Sequence, residues 1–285
     1  MKTTILKSMM AVLMALLSIN IYAYDVKING VYYNLTASTK EATVTYREQG
    51  EYTGSIIIPS YITYSGITYN VTAIGNFAFN MCYNLRSVTI PNSVKSIGNY
   101  AFGLCQGLTS VTIPNNVISI GNFAFSGCSG LTSMVIPNSV TSIGSYAFEG
   151  CNNLVSIAIG NSVTSIGHYA FKDCFDLSSV TIPNSVTDMG TSVFEGCSSL
   201  TAPIYNSTFF IFMPSSYTGI FTIPSGIKTI CDFAFGGCSS LTSVTIPQSV
   251  TSIETGAFSN CSGLTSITIP NSVTSIEPGA FQGCI

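Results

Sequence analysis

The sequence predicts a solenoid: one elongated, strand-rich domain of the α/β type, with a parallel β-sheet along one face, one short helical turn in each coil and a β cap at its N-terminal end. Three observations carry this. The phenylalanine of an "AF" pair stands at Phe79, Phe102, Phe125, Phe148, Phe171 and Phe194 (there "VF"), then at Phe235, Phe258 and Phe281, each 23 residues from the last within its group. An isoleucine, usually followed by proline, keeps the same step at Ile90, Ile113, Ile136, Ile159 and Ile182, and then at Ile223, Ile246 and Ile269. A cysteine follows each phenylalanine three residues later, from Cys82 to Cys284. A fixed period in the twenties marks units that cannot bury an apolar face alone and do so by stacking.

Within one unit, Leu108, Val111 and Ile113 point to one side of a short β-branched strand while Ser110 and Thr112 alternate to the other. Pro114 ends that strand, and Val117 and Ile120 form a second inward pair. The next position is filled in successive units by Asn76, Asn99, Asn122, Ser145, His168, Thr191, Asp232, Thr255 and Pro278. Asn, Ser, Thr and Asp cap helix N-termini, and proline suits the first helical position, so a single helical turn is expected there. That turn would place Phe125 and Cys128, three residues apart, on one inward face.

The cysteines admit two readings. Stacked copies about 5 Å apart lie within disulfide reach. Pairing neighbours would nevertheless pinch an evenly repeating ladder, and free cysteine packs well as a small buried hydrophobe, so buried thiols are expected. Cys231 lies outside the ladder, where most units have glycine; Glu254 and Glu277 share that place, so it does not demand glycine and Cys231 is expected at the surface.

Ahead of the repeats, Lys2 and Lys7, an apolar run from Met9 to Ile19 and Ile21-Tyr22-Ala23 read as a signal peptide over residues 1–23. Residues 24–53 read as an N-terminal β cap: Asn29-Gly30 separates two alternating strands, a strong hairpin signal, and "EATVTY" supplies a third. The repeats occupy 54–285. "TYSGITYN" fits a small hairpin inserted before Val71, and the unit at 200–223 is irregular. That unit holds Tyr205, Phe209, Phe210, Phe212, Tyr217 and Phe221, either a sticky patch or a plug for a shortened core.

The pattern "LTSVTIP…V…IG…AF…C" resembles the leucine-rich repeat of the BspA-like family of bacterial surface proteins over residues 54–285. The resemblance implies a curved leucine-rich-repeat solenoid and a role in adhesion to host proteins, matrix or other cells. The commoner leucine-rich pattern has Asn or Cys where Ser93, Asn116 and Ser139 stand, so its asparagine ladder is not expected.

Without Lys2 and Lys7 the nine Lys/Arg fall to seven against twelve Asp/Glu, and none cluster, which excludes nucleic acid as a partner. No apolar run after residue 23 is long enough to span a bilayer. His168, the one histidine, cannot make a metal site alone and reads as a surface cap. Asp173 and Asp176 flank one turn beside Lys172, a solvated charge cluster rather than an acid–base pair. The cysteines lack an adjacent base. No enzyme, cofactor or metal is therefore expected.

The expected function is an exported, non-enzymatic recognition protein, secreted or at the cell surface, that binds protein or cell-surface ligands through its sheet face. Candidate contacts are Ser110, Thr112, Ser133, Val135, Ser156, Ala158, Ser179 and Thr181, where Val135 and Ala158 break a Ser/Thr ladder, with Tyr205, Phe209, Phe210, Phe212 and Tyr217 as a second patch. Rival readings are a glycan-binding module that uses Tyr and Phe as stacking platforms, and a structural spacer of a larger surface protein. The chain stops at "FQGCI" without a capping repeat, so end-to-end self-association is a further expectation.

Overall fold

A computed structural model describes residues 24–284; the segment read as a signal peptide lies outside the described residues. The chain is a β-solenoid of about nine turns with parallel sheets. At its N-terminal end β1 (Val26–Ile28) and β2 (Val31–Thr36) form an antiparallel hairpin whose turn residues Asn29 and Gly30 both have positive φ, and β3 (Glu41–Thr45) pairs antiparallel with β2. After β4 (Gly54–Ile57), β5 (Tyr61–Tyr64) and β6 (Ile67–Ile74) make a second hairpin about Ser65-Gly66. β3 and β6 pair in parallel, so the hairpins lead directly into the first coil.

Each regular coil then contributes two strands. The inner short strands Ser96–Ile97, Ser119–Ile120, Ser142–Ile143, Ser165–Ile166 and Asp188–Met189 stack in register onto β6 as one sheet. The outer strands, two to five residues long, form separate parallel blocks, among them β4 with Leu85–Thr89 and Ser110–Val111, and Ser133–Ile136 with Ser156–Ile159 and Ser179–Val180. The space between these layers is filled by columns of repeated side chains: Leu108, Ile113, Val117, Ile120, Ala124, Phe125 and Cys128 are buried, as are most of their counterparts, while in the last coil Val273, Phe281 and Cys284 are half-buried and Ile276 is exposed. From Phe79 to Phe194 the phenylalanine rings stack face to face at 5.0–5.5 Å. Stacking of this kind adds about 0.5–1.5 kcal/mol per pair beyond area burial.

The helical turn is absent. No helix occurs among the described residues, and the segment between the inner strand and the cysteine is a run of turns. Two causes are visible. The residue after the supposed cap has positive φ in Phe77, Tyr100, Phe123, Tyr146 and Tyr169, a left-handed backbone that ends any right-handed helix at once. The N–H groups of Phe77, Phe79 and Met81 also donate to the next coil, at Asn99, Ala101 and Gly103, so every second donor is withdrawn from any helical pattern. Phenylalanine and cysteine still share an inward side because Cys82 N–H bonds back to Phe79 O, a three-residue turn.

The supposed caps act between coils. Asn76 Oδ1 accepts the Asn99 N–H at 2.8 Å, Asn99 that of Asn122 at 2.7 Å, and Asn122 that of Ser145 at 2.8 Å. Ser145 Oγ then accepts from His168, and His168 Nδ1 from Thr191 at 2.9 Å. An asparagine ladder is thus present, at another column than the usual one, and His168 is one of its rungs.

All ten cysteines are free thiols. Those from Cys105 to Cys197, with Cys261 and Cys284, donate to the carbonyl of the preceding coil's phenylalanine at 3.0–3.2 Å. Desolvation pushes the Cys151 thiol up to about 12. Cys231 is not at the surface: it is 7% exposed, and its N–H bonds to Phe210 O where the irregular unit packs beneath it. The alignment of Cys231 with Glu254 and Glu277 misled because the layer beneath Cys231 is not a regular coil.

Candidate functional site

Strand alternation decides which side chains leave the core. Along Ser133–Ile136 the burial alternates, with Met134 and Ile136 inward and Ser133 and Val135 outward, and Val135 is 65% exposed. Parallel pairing sets Ser133 beside Ser156, Val135 beside Ala158 and Ser156 beside Ser179. Two exposed apolar side chains thus sit side by side, with serine hydroxyls along one margin.

Two grooves run over this face. The larger, 630 Å³, is bounded by Ser110 and Thr112 on one side and by Val135, Asn138 and Ala158 on the other. It lies across the junction where the block ending at Ser110–Val111 and the block beginning at Ser133–Ile136 form separate sheets. The second, 410 Å³, is lined by Ser133, Val135, Ser156, Ala158, Ser179 and Thr181. All eight sheet-face positions singled out in the sequence therefore line one continuous surface. Neither groove has a charged or aromatic residue in its lining. Such a surface offers hydroxyl and amide hydrogen bonds around an apolar centre, and no group able to transfer protons or stack on a sugar ring.

The aromatic segment lies elsewhere. Phe210 is fully buried and stacks on Phe235 at 4.6 Å, so it belongs to the core and not to a binding surface. Phe209 and Phe212 are half-buried against the core, Tyr217 donates its hydroxyl to Ile220 O at 3.2 Å, and Tyr205 alone of the five is exposed. None of them lines the sheet-face grooves. Their dominant role is to fill the space left by the irregular unit.

Sequence reasoning missed a second stacked column. Phe77, Tyr100, Phe123, Tyr146 and Tyr169 lie half-buried on the outer corner with ring centroids 4.5–5.0 Å apart. Lys172 Nζ sits 5.3 Å from the Tyr169 ring and pairs with Glu195 at 2.8 Å. Stacked rings present edges outward, so the column stiffens the corner without exposing ring faces along its length. Aligning the copies by their 23-residue period shows the aromatic residues, but nothing within one copy marks them.

Among the described residues no group of three His, Cys, Asp or Glu could hold a metal ion, and no helix is long and apolar enough to cross a membrane.

A family model described as "BspA type Leucine rich repeat region" matches residues 72–201 and 205–285 in six copies. Among solved structures, a leucine rich cell surface protein from Faecalibacterium prausnitzii A2-165 is similar at 32% identity, covering 91% of this chain and 80% of that one, with a TM-score of 0.61. A leucine-rich repeat protein from Bacteroides ovatus is similar at 25% identity over 92% and 93% of the two chains, with a TM-score of 0.54. The pneumococcal vaccine antigen PcpA, at 22% identity over 91% and 79%, shares the fold with a TM-score of 0.66. No curated protein matches the chain.

Proposed function

From the premise that the chain belongs to the BspA-type leucine-rich repeat family, we propose that it is an exported, non-enzymatic recognition protein that binds a protein ligand at the cell surface through its sheet face. The observation that carries the reading is the Val135–Ala158 pair, an exposed apolar centre beside serine hydroxyls and flanked by two grooves. An apolar centre with a polar rim is how protein interfaces are commonly built. The uncharged lining supports a partner met by shape and hydrogen bonding rather than by electrostatic steering. Residues 1–23, with Lys2 and Lys7 ahead of an apolar run, support export, and the description of the Faecalibacterium relative as a cell surface protein supports the location.

The test is a double substitution, Val135→Lys with Ala158→Glu, assayed by capture against a panel of purified matrix proteins and by pull-down with mass spectrometry. Capture should fall about tenfold or more, the loss expected when a hot-spot centre is spoiled. Thermal unfolding should stay nearly unchanged because both side chains point away from the core. Unchanged capture would move the site off this face.

A further inference from the structure

Between the two runs of regular coils the outer corner of the solenoid lacks a layer. In regular coils the corner N–H groups donate forward: those of Tyr169, Phe171 and Asp173 reach the carbonyls of Thr191, Val193 and Glu195 at 2.7–3.0 Å. The equivalent N–H groups of Ser192, Phe194 and Gly196 have no acceptor among the described residues. The next segment runs as strands, Ile204–Tyr205 and Phe209–Phe212, and does not turn through this corner. On the far side, the carbonyls of Asp232, Ala234 and Gly236 occupy the places that receive bonds from a preceding coil. Only Ala234 is used, by the Met213 N–H at 2.7 Å.

Both rows border one recess of 530 Å³, whose walls include Ser192, Phe194, Gly196, Phe212, Asp232 and Phe233. Phe233 stands at the outer aromatic position, is 48% exposed and, unlike Tyr146 or Tyr169, has no ring stacked on it among the described residues.

We propose that this recess is a docking slot for a polypeptide segment of a partner protein, inserted as the missing corner layer in the turn conformation of a regular coil. Three donors on one wall and two unused acceptors on the other are the complement of a single layer of amides. A backbone in the turn conformation of a regular corner supplies carbonyls to one side and N–H groups to the other: Ser145, Ala147 and Glu149 accept from the preceding coil while the N–H groups of Tyr146, Phe148 and Gly150 donate to the next. An apolar side chain of that segment packs on Phe212 and Phe233. The rival occupant of three convergent N–H groups is a small anion. Asp232 on the same walls places negative charge against it, and Glu195 is already paired with Lys172, which favours the neutral amide. The slot lies off the sheet face and is independent of the function proposed above.

Amide exchange with a synthetic peptide tests it. The probe copies residues 144–150, Gly-Ser-Tyr-Ala-Phe-Glu-Gly, the corner layer of a regular coil. In the free protein the amides of Ser192, Phe194 and Gly196 should exchange fast while those of Tyr169 and Phe171 are protected. Peptide at about 1 mM should slow the first three about tenfold and leave the others unchanged. Phe233→Ala should weaken this protection several-fold, with thermal unfolding showing that the variant is folded. Val135→Lys with Ala158→Glu should leave it intact, which separates this slot from the sheet face. Three results overturn the proposal: protection of Ser192, Phe194 and Gly196 before peptide is added, no slowing by the peptide, or slowing by sulfate that the peptide does not reproduce.

Discussion

In the coils from Gly75 to Gly190 a glycine precedes each corner, and in the coils after the irregular unit Cys231, Glu254 and Glu277 stand at that place. The glycines are not there for φ, since none of them has a positive value. They are there for space: a Cβ on Gly98, Gly121 or Gly144 would lie 2.5–2.7 Å from the backbone nitrogen of the asparagine one coil earlier. Downstream the same backbone bond persists, Glu254 N–H to Ile230 O and Glu277 N–H to Ile253 O, each at 2.9 Å, as in Gly144 N–H to Ile120 O. The carboxylates accept instead from their own coil, Glu254 from Ser252 at 2.6 Å and Glu277 from Ser275 at 2.8 Å. The asparagine rungs and the stacked outer rings both belong to the first run; after Tyr169 the ring position reads Ser192, Phe233, Gly256 and Gly279, with one ring, unstacked among the described residues. One buried core is thus compatible with two corners that share their inter-coil backbone bonds, as in Phe235 N–H to Ala257 O at 2.7 Å, and differ in whether a side chain at the corner adds a rung between coils.

What the two runs share should give the largest response. Desolvation pushes the thiols of Cys82 and Cys151 in the first run, and of Cys238 in the second, up to about 12 from an ordinary 9.0. A raised folded-state value keeps these thiols neutral where the unfolded chain has ionised them, so the unfolded state binds fewer protons. Stability is complete below pH 9 and declines as pH rises from there toward 12, by about 1.4 kcal/mol per fully buried thiol per pH unit. Several thiols acting together should produce cooperative alkaline unfolding of both runs before pH 12, followed by circular dichroism. A native spectrum at pH 12 would show that the thiol ladder is not held inside.

What separates the two runs should respond less and in one run only. Gly144→Ala forces a methyl against the Asn122 and Gly121 backbone, which has no side chain to swing aside, and should cost about 1–3 kcal/mol in urea unfolding. Glu254→Ala, at the equivalent downstream place, should stay within about 0.5 kcal/mol. Equal costs would mean that the coils of the first run can separate, and that close stacking does not distinguish them.

The period of 23 made the core columns legible, because stacking turns every repeated apolar position into a contact with its own copy. Strand alternation likewise made Val135 and Ala158 legible as outward neighbours. The corner was not legible, for a physical reason. A Phe and a Cys three residues apart point the same way in a helical turn and in a three-residue turn, so the pattern cannot tell them apart. The deciding facts are a left-handed backbone at Phe77 or Tyr100, which aromatic residues rarely adopt, and hydrogen bonds that run between coils. The recess at Ser192–Gly196 was hidden for the same cause: it consists of bonds that lose their partners when the next coil takes another path.

The smallest effect isolates the rung itself. Asn122 Oδ1 accepts the Ser145 N–H at 2.8 Å, and Ser145 is half-buried, so Asn122→Ala leaves a partly shielded donor unpaired without changing the packed core. The cost should be about 1 kcal/mol. At the matching position downstream, Thr255 is followed one coil later by Pro278, which has no N–H to offer, so no rung exists there to remove. Thr255→Ala should therefore change stability by less than about 0.5 kcal/mol. Ser145 amide exchange should accelerate in Asn122→Ala while the Phe148 amide, bonded to Ala170 O in the buried part of the same corner, keeps its protection. If Asn122→Ala loosens Phe148 as well, the rungs hold the whole corner and the locked geometry of the first run depends on them. If Ser145 exchange does not change, the close stacking allowed by glycine maintains that geometry without the side-chain bond.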